Sequence, residues 1–141
     1  MDAAEMKSLP AKFRAEVCSK GNFDVADELF APDYVNHDPL DSWDPPGPEG
    51  VKRLFRLYRE AFPDLEYSIE DQLVEGEKVV TRWKAWGTNT GSFGPIAPTE
   101  LWATTDGITI DRIADGKIAE SWVTWNALGF FRQLGLVPSF T

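Results

Sequence analysis

The hydrophobic period of this 141-residue chain changes at Pro63, and that change limits the folds open to it. Before Pro63, Val51, Leu54, Phe55, Tyr58 and Phe62 recur at the i, i+3, i+4 spacing of one buried helix face. Pro48 and Glu49 suit the first turn of that helix and Pro63 ends it. After Pro63 the period is two. "LEYSIEDQLVEG" alternates as a strand, and Glu75-Gly76-Glu77 turns it into "KVVTRWKAWGTNTG", a long antiparallel hairpin. "ELWATTDGITIDRIADGKIAESWVTW" adds two or three strands, with turns expected near Asp106-Gly107 and Asp115-Gly116, and "ALGFFRQLGLVP" closes as a short apolar helix.

Upstream, "AKFRAEVCSKGN" reads as a helix stopped at Gly21-Asn22, and "FDVADELFAPDY" as a second helix stopped by Pro32. The Pro-rich "YVNHDPLDSWDPPGPEG" reads as an ordered loop. Helices first and an antiparallel meander after them define one α+β domain over residues 1–141. A strongly curved sheet over a long helix would enclose a conical cavity.

Charge and composition narrow the partners. The formal net charge is −9, with no basic stripe, which disfavours nucleic acid and anionic membranes. Lys52, Arg53, Arg56 and Arg59 read as a solvated face or one paired with acids. No apolar window reaches membrane-span length and the first residues do not read as a targeting signal, so a cytoplasmic location is expected. Cys18 is the sole cysteine and reads as a small buried apolar residue. With one histidine and scattered acids, no metal site is expected. Six tryptophans call for a large core or an apolar pocket.

Four segments, "YVNHDP", "GPEGVKRLFRLYREAFPDLEY", "GEKVVTRWKAWGTNTGSFGPIAPT" and "GITIDRIADGKIAESWVTWNALGFFRQLG", resemble in order and spacing the SnoaL-like polyketide cyclase (ester cyclase) family. The resemblance runs from about Phe23 to Leu136. It implies the cone-shaped NTF2-like fold with its curved sheet packed on N-terminal helices. It also implies homodimers through the outer face of the sheet, an apolar polyketide-like substrate, and ring closure by intramolecular aldol condensation without metal or cofactor. The chain departs from the family pattern at its acid–base positions. Asn89 stands where the family has a histidine, and Ser121-Trp122-Val123 stands for His-Trp-Asp. Asn126 and Thr109 replace acidic residues.

Two residues are left to move a proton. His37 lies in the Pro-rich segment, where the family's pocket has its mouth; it could be a base, or bond loop backbone beside Asp38. Asp111 shares a strand face with Thr109. It points into the cavity if that face does, or else is exposed or paired with Arg82 or Arg112. Ser121, Val123 and Trp125 are expected to face the cavity from the last strand. Trp83 and Asn89 share a neighbouring face, and Trp86, Trp102 and Trp122 could extend an aromatic lining or simply pack. Tyr34, Asn36 and Tyr58 could meet substrate oxygens. Phe93 would tip a mobile flap, "GSFGPIAP", or an ordinary hairpin loop. Three functions stay open: a cyclase that shapes a polyketide or polyene for closure, a non-catalytic binding protein, and a hydrolase or isomerase such as an epoxide-opening enzyme.

Overall fold

The computed structural model describes residues 1–138. Helix α1 (Ala3–Lys12) runs into a wider π-helical turn, Phe13–Ser19. Asp2 and Glu5 close a capping box at its start, each side chain taking the other's backbone N–H. A 3₁₀ turn, Phe23–Val25, leads into the short α2 (Ala26–Leu29). Strand β1 (Phe30–His37) follows, then α3 (Pro48–Ala61), β2 (Glu66–Glu75), β3 (Lys78–Thr88), β4 (Trp102–Ala114), β5 (Lys117–Trp125) and α4 (Ala127–Gln133).

The five strands form one sheet in the order β1-β5-β4-β3-β2. β2 to β5 are an antiparallel meander, and β1 joins β5 in parallel. The architecture is the expected α+β cone, but three local expectations fail. Tyr34 to His37, read as loop, belong to β1 and pair with β5. The second helix does not continue to Pro32: Phe30 leaves the helical conformation and starts β1. Pro32 suits that edge strand, where its missing N–H costs little. Asp106-Gly107 makes no turn and lies inside the long β4. Gly107 is there for space. A Cβ on it would come within 2.4 Å of the Trp83 ring and 2.7 Å of the Trp125 Cβ. The Asp115-Gly116 turn is present, with both residues at positive φ.

Alternation sends Val79, Thr81, Trp83 and Ala85 of β3, and Ala103, Thr105, Thr109 and Asp111 of β4, to the inner face, where all are buried. On β5 the register shifts between Arg112 and Ile113, so Ala119 is an extra residue. That bulge lets Ile118 and Ser121, three positions apart, both point inward, and each is fully buried. The helices cover this face. Phe13, Val17, Phe30, Tyr34, Val51 and Phe55 fill one end, while Phe62, Trp83, Val123, Phe130 and Leu134 fill the other. Among the described residues, no helix is long and apolar enough to cross a membrane.

Candidate active site

A cavity opens between the inner face and the helices. Aromatic residues make half of its lining: Phe13, Phe30, Tyr34, Trp43, Phe55, Tyr58, Phe62, Tyr67, Trp83, Trp125 and Phe130. Trp43 comes from the Pro-rich segment. Its indole N–H donates to Asp38 at 2.9 Å, and the same carboxylate accepts from the backbone N–H groups of Leu40 and Asp41. Arg53 donates to the Ser42 and Asp44 carbonyls and ties this loop to α3.

Polar groups meet the cavity in two places. At its inner end, Asp111 is 3% exposed. Its Oδ1 accepts a hydrogen bond from Ser121, its direct cross-strand partner. Ser121 in turn engages the Tyr34 phenol, which also accepts from Asn36 Nδ2 at 2.9 Å. Burial raises the Asp111 pKa above the usual carboxylate range; the nearby Arg14 charge and the Ser121 bond offset this in part. Arg14 is itself 5% exposed. Its Nη2 donates to Thr109 Oγ1 at 3.0 Å and its Nη1 to the Pro10 carbonyl at 3.2 Å. Thr109 Oγ1 also accepts from the Trp83 indole at 3.0 Å. At the loop, Tyr58 donates to Asp41 Oδ2 at 2.6 Å, and burial raises the pKa of Asp41 as well.

Of the residues singled out in the sequence, Tyr34, Asn36, Tyr58, Trp83, Thr109, Asp111, Val123 and Trp125 line this cavity, and Ser121 stands directly behind Asp111. Three lie elsewhere. His37 ends β1 with its side chain 48% exposed, one position past the inward Asn36. Its ring stacks on Trp122 and pairs with Glu120 at 2.7 Å, so it sits on the outer face, away from the cavity. Asn89 is buried, and its amide is taken up by the surrounding loop. It donates to the Ala61 and Gly91 carbonyls and accepts from the Thr99 N–H and hydroxyl. Phe93 packs behind Tyr58, ring centroids 5.1 Å apart, and against Phe131. Of the other tryptophans, Trp86 and Trp122 are half-buried and Trp102 is exposed on the outer face.

The sequence reading missed Arg14, Asp41, Trp43 and Tyr67. Arg14 follows Phe13 in a helical run, where a basic residue reads as solvated; the π-helical turn brings both inward. Asp41 and Trp43 belong to a loop whose path no periodicity predicts.

An aromatic-walled cone with one deeply buried carboxyl marks a small-molecule site of the NTF2-like α+β class. More narrowly, a family model for the SnoaL-like polyketide cyclase matches residues 9–134, and the chain belongs to that family. The nogalonic acid methyl ester cyclase of Streptomyces nogalater is 29% identical over 117 residues, covering 82% of this chain and 87% of that one. Among solved structures, TsrD of Streptomyces laurentii superposes with a TM-score of 0.86 at 28% identity, covering 97% of this chain and 99% of that one. IdmH of Streptomyces antibioticus, a candidate polyketide cyclase, gives 0.77 at 29% identity, covering 92% and 98%.

Proposed function

We propose that this protein is a cofactor-independent cyclase of antibiotic-type biosynthesis, closing a ring within an apolar polyketide or polyene held in the cavity. The observation that carries the proposal is Asp111, a carboxyl of raised pKa in an otherwise largely apolar, aromatic cavity. The family's usual carboxylate position on the last strand is Val123 here, which neither gives nor takes a proton. Val123 pairs with Thr109, so Asp111 is its diagonal neighbour across the sheet. The acid–base group has moved one strand over and faces the same space.

In an aldol closure, Asp111 takes a proton from the carbon next to a carbonyl. The resulting enolate carbon bonds to a second carbonyl carbon, and that oxygen takes the proton back. The aromatic wall holds the chain bent so that the two carbons meet, a term that can lower the barrier by several kcal/mol. The Ser121, Tyr34 and Asn36 side chains fix the carboxyl from behind. The test is to incubate the protein with nogalonic acid methyl ester, the compound in the name of its Streptomyces nogalater relative, and follow product by chromatography and mass. Closure gives a new retention time at unchanged mass, and Asp111→Asn slows it by about 10² or more. Closure at full rate in the variant would leave shape alone as the catalyst and remove Asp111 from the reaction.

We further propose that the chain works as a homodimer through the outer face of the sheet. Leu73, Val80, Ile110 and Trp122 lie opposite one another across β2 to β5 and form an apolar band on that face. Leu73 is 63% exposed, and Ile108, two residues from Ile110 on the same face of β4, is 49% exposed. An apolar band of this kind marks an interaction surface.

A further inference from the structure

Three buried side-chain atoms among the described residues have no hydrogen-bond partner: Arg14 Nε, Asn36 Oδ1 and Asp111 Oδ2. Their residues line the same cavity. A chain of contacts gathers them at its inner end. Arg14 bonds Thr109, which shares a strand face with Asp111. Asp111 bonds Ser121, Ser121 engages Tyr34, and Tyr34 bonds Asn36. A buried polar atom left unpaired loses its water without return, so such atoms are rare and mark a missing partner.

Charge decides what kind of partner fits. The Arg14 guanidinium is always cationic. Two of its nitrogens donate to neutral oxygens, and among the described residues it forms no ion pair. It lies 5.3 Å from the centre of the Phe13 ring and 5.9 Å from that of the Trp83 ring. Those ring faces attract a cation but bring no counter-charge. Burial favours the neutral form of Asp111. Its Oδ1 accepts from Ser121, which leaves Oδ2 to carry the proton. The inner end then holds one positive charge and two unused donors, Arg14 Nε–H and Asp111 Oδ2–H. A carboxylate matches both counts, with one negative charge and one oxygen for each donor. A phosphate monoester would bring further charge and a third oxygen, with no unused donor left for them.

We infer that the inner end of the cavity is a carboxylate-binding site, where Arg14 and protonated Asp111 hold the head group of an acid whose body is apolar. Arg14 Nε–H donates to one carboxylate oxygen and Asp111 Oδ2–H to the other. Asn36 Oδ1 accepts from a hydroxyl next to the head group where the acid has one. The aromatic side of the cavity takes the apolar body. Two carboxyl groups this close cannot both ionise, so the bound acid keeps the proton on Asp111. The site goes beyond the cyclase reading and does not rest on it. An acid held there occupies the cavity as a ligand and keeps Asp111 from acting as a base.

Calorimetry on the full chain at pH 7 tests this with three probes of one skeleton: 2-naphthylacetate, its primary amide and its methyl ester. The acid is expected to bind about tenfold or more tighter than either neutral probe. The net charge of −9 works against a general attraction for acids, so such a preference reports a local site. Arg14→Met should abolish the preference while methyl ester affinity stays within about twofold. In Asp111→Asn the amide N–H replaces the carboxyl O–H as donor, so acid affinity should stay within about threefold. Neutral probes binding as tightly as the acid, or no binding of the acid, would overturn the inference. So would an acid preference that survives Arg14→Met. A tenfold gain in acid affinity in Asp111→Asn would overturn it as well, because it would mean that Asp111 is ionised in the complex.

Discussion

Asp111 is the residue whose environment most strongly opposes its usual state. Ordinary aspartate is a surface anion, but here the carboxyl is 3% exposed and its proton is held more tightly in the folded chain than in the unfolded one. The folded protein therefore carries the extra proton. The stability this group confers is fully present below its unfolded pKa of about 3.9, and is lost as pH rises through the raised folded value. Asp111→Asn keeps the shape and removes the titration. The melting temperature of the variant minus that of the wild type is expected to become more positive as pH rises from 4 to 8, by scanning calorimetry. A difference independent of pH would mean that the carboxyl titrates normally. Glu120 behaves in the opposite sense, since His37 first and Arg112 second hold its pKa down. Its stabilisation is present at neutral pH and lost on acidification. Glu120→Gln should therefore cost stability at pH 7 but not at pH 3, and leave ring closure unchanged.

Elements are positioned here by close approaches that only small residues allow. A Cβ on Gly50, in the first turn of α3, would lie 1.8 Å from the Trp43 carbonyl oxygen. The loop carrying Trp43 and Asp41 therefore rests directly on the α3 backbone. Gly50→Ala is expected to push that loop off, at a cost of about 1–3 kcal/mol by denaturant unfolding, and to weaken apolar ligand binding because Trp43 leaves the wall. Gly107→Ala acts from the sheet side: its methyl collides with Trp83 and distorts the inner face.

The elements themselves were largely legible in the sequence. The helical spacing from Val51 to Phe62 and the alternation after Leu65 report burial directly, and both elements formed as read. Period two put Thr109 with Asp111, and Ser121 with Val123 and Trp125, on shared strand faces; the family resemblance pointed those faces at the cavity. Other features were not legible, for identifiable reasons. Gly107 looks like turn chemistry because the sequence does not show the indole above it. The resemblance puts His37 at the mouth, and the strand that turns it outward is hidden because it begins inside an apparent helix. Arg14 was hidden because a π-helical turn changes which residues share a face.

Across the whole molecule, one face of the sheet lines the cavity and the other carries an apolar band among exposed charges such as Arg82, Lys84 and Asp106. The Leu73–Val80–Ile110–Trp122 band crosses four strands in register. A dimer is expected in sedimentation at micromolar concentration, and Ile110→Lys should shift it to monomer. A wild-type monomer under those conditions would contradict the dimer proposal without touching the cavity.

A rebuilt acid–base group working inside this cavity has to speed proton exchange on a bound ketone. A soluble aryl β-keto ester is placed in D₂O with the protein, and NMR follows the loss of its α-proton signal. The account predicts exchange well above the buffer rate, lost in Asp111→Asn and kept in His37→Ala. Line broadening without faster exchange would show a cavity that binds and moves no proton, and would contradict the claim.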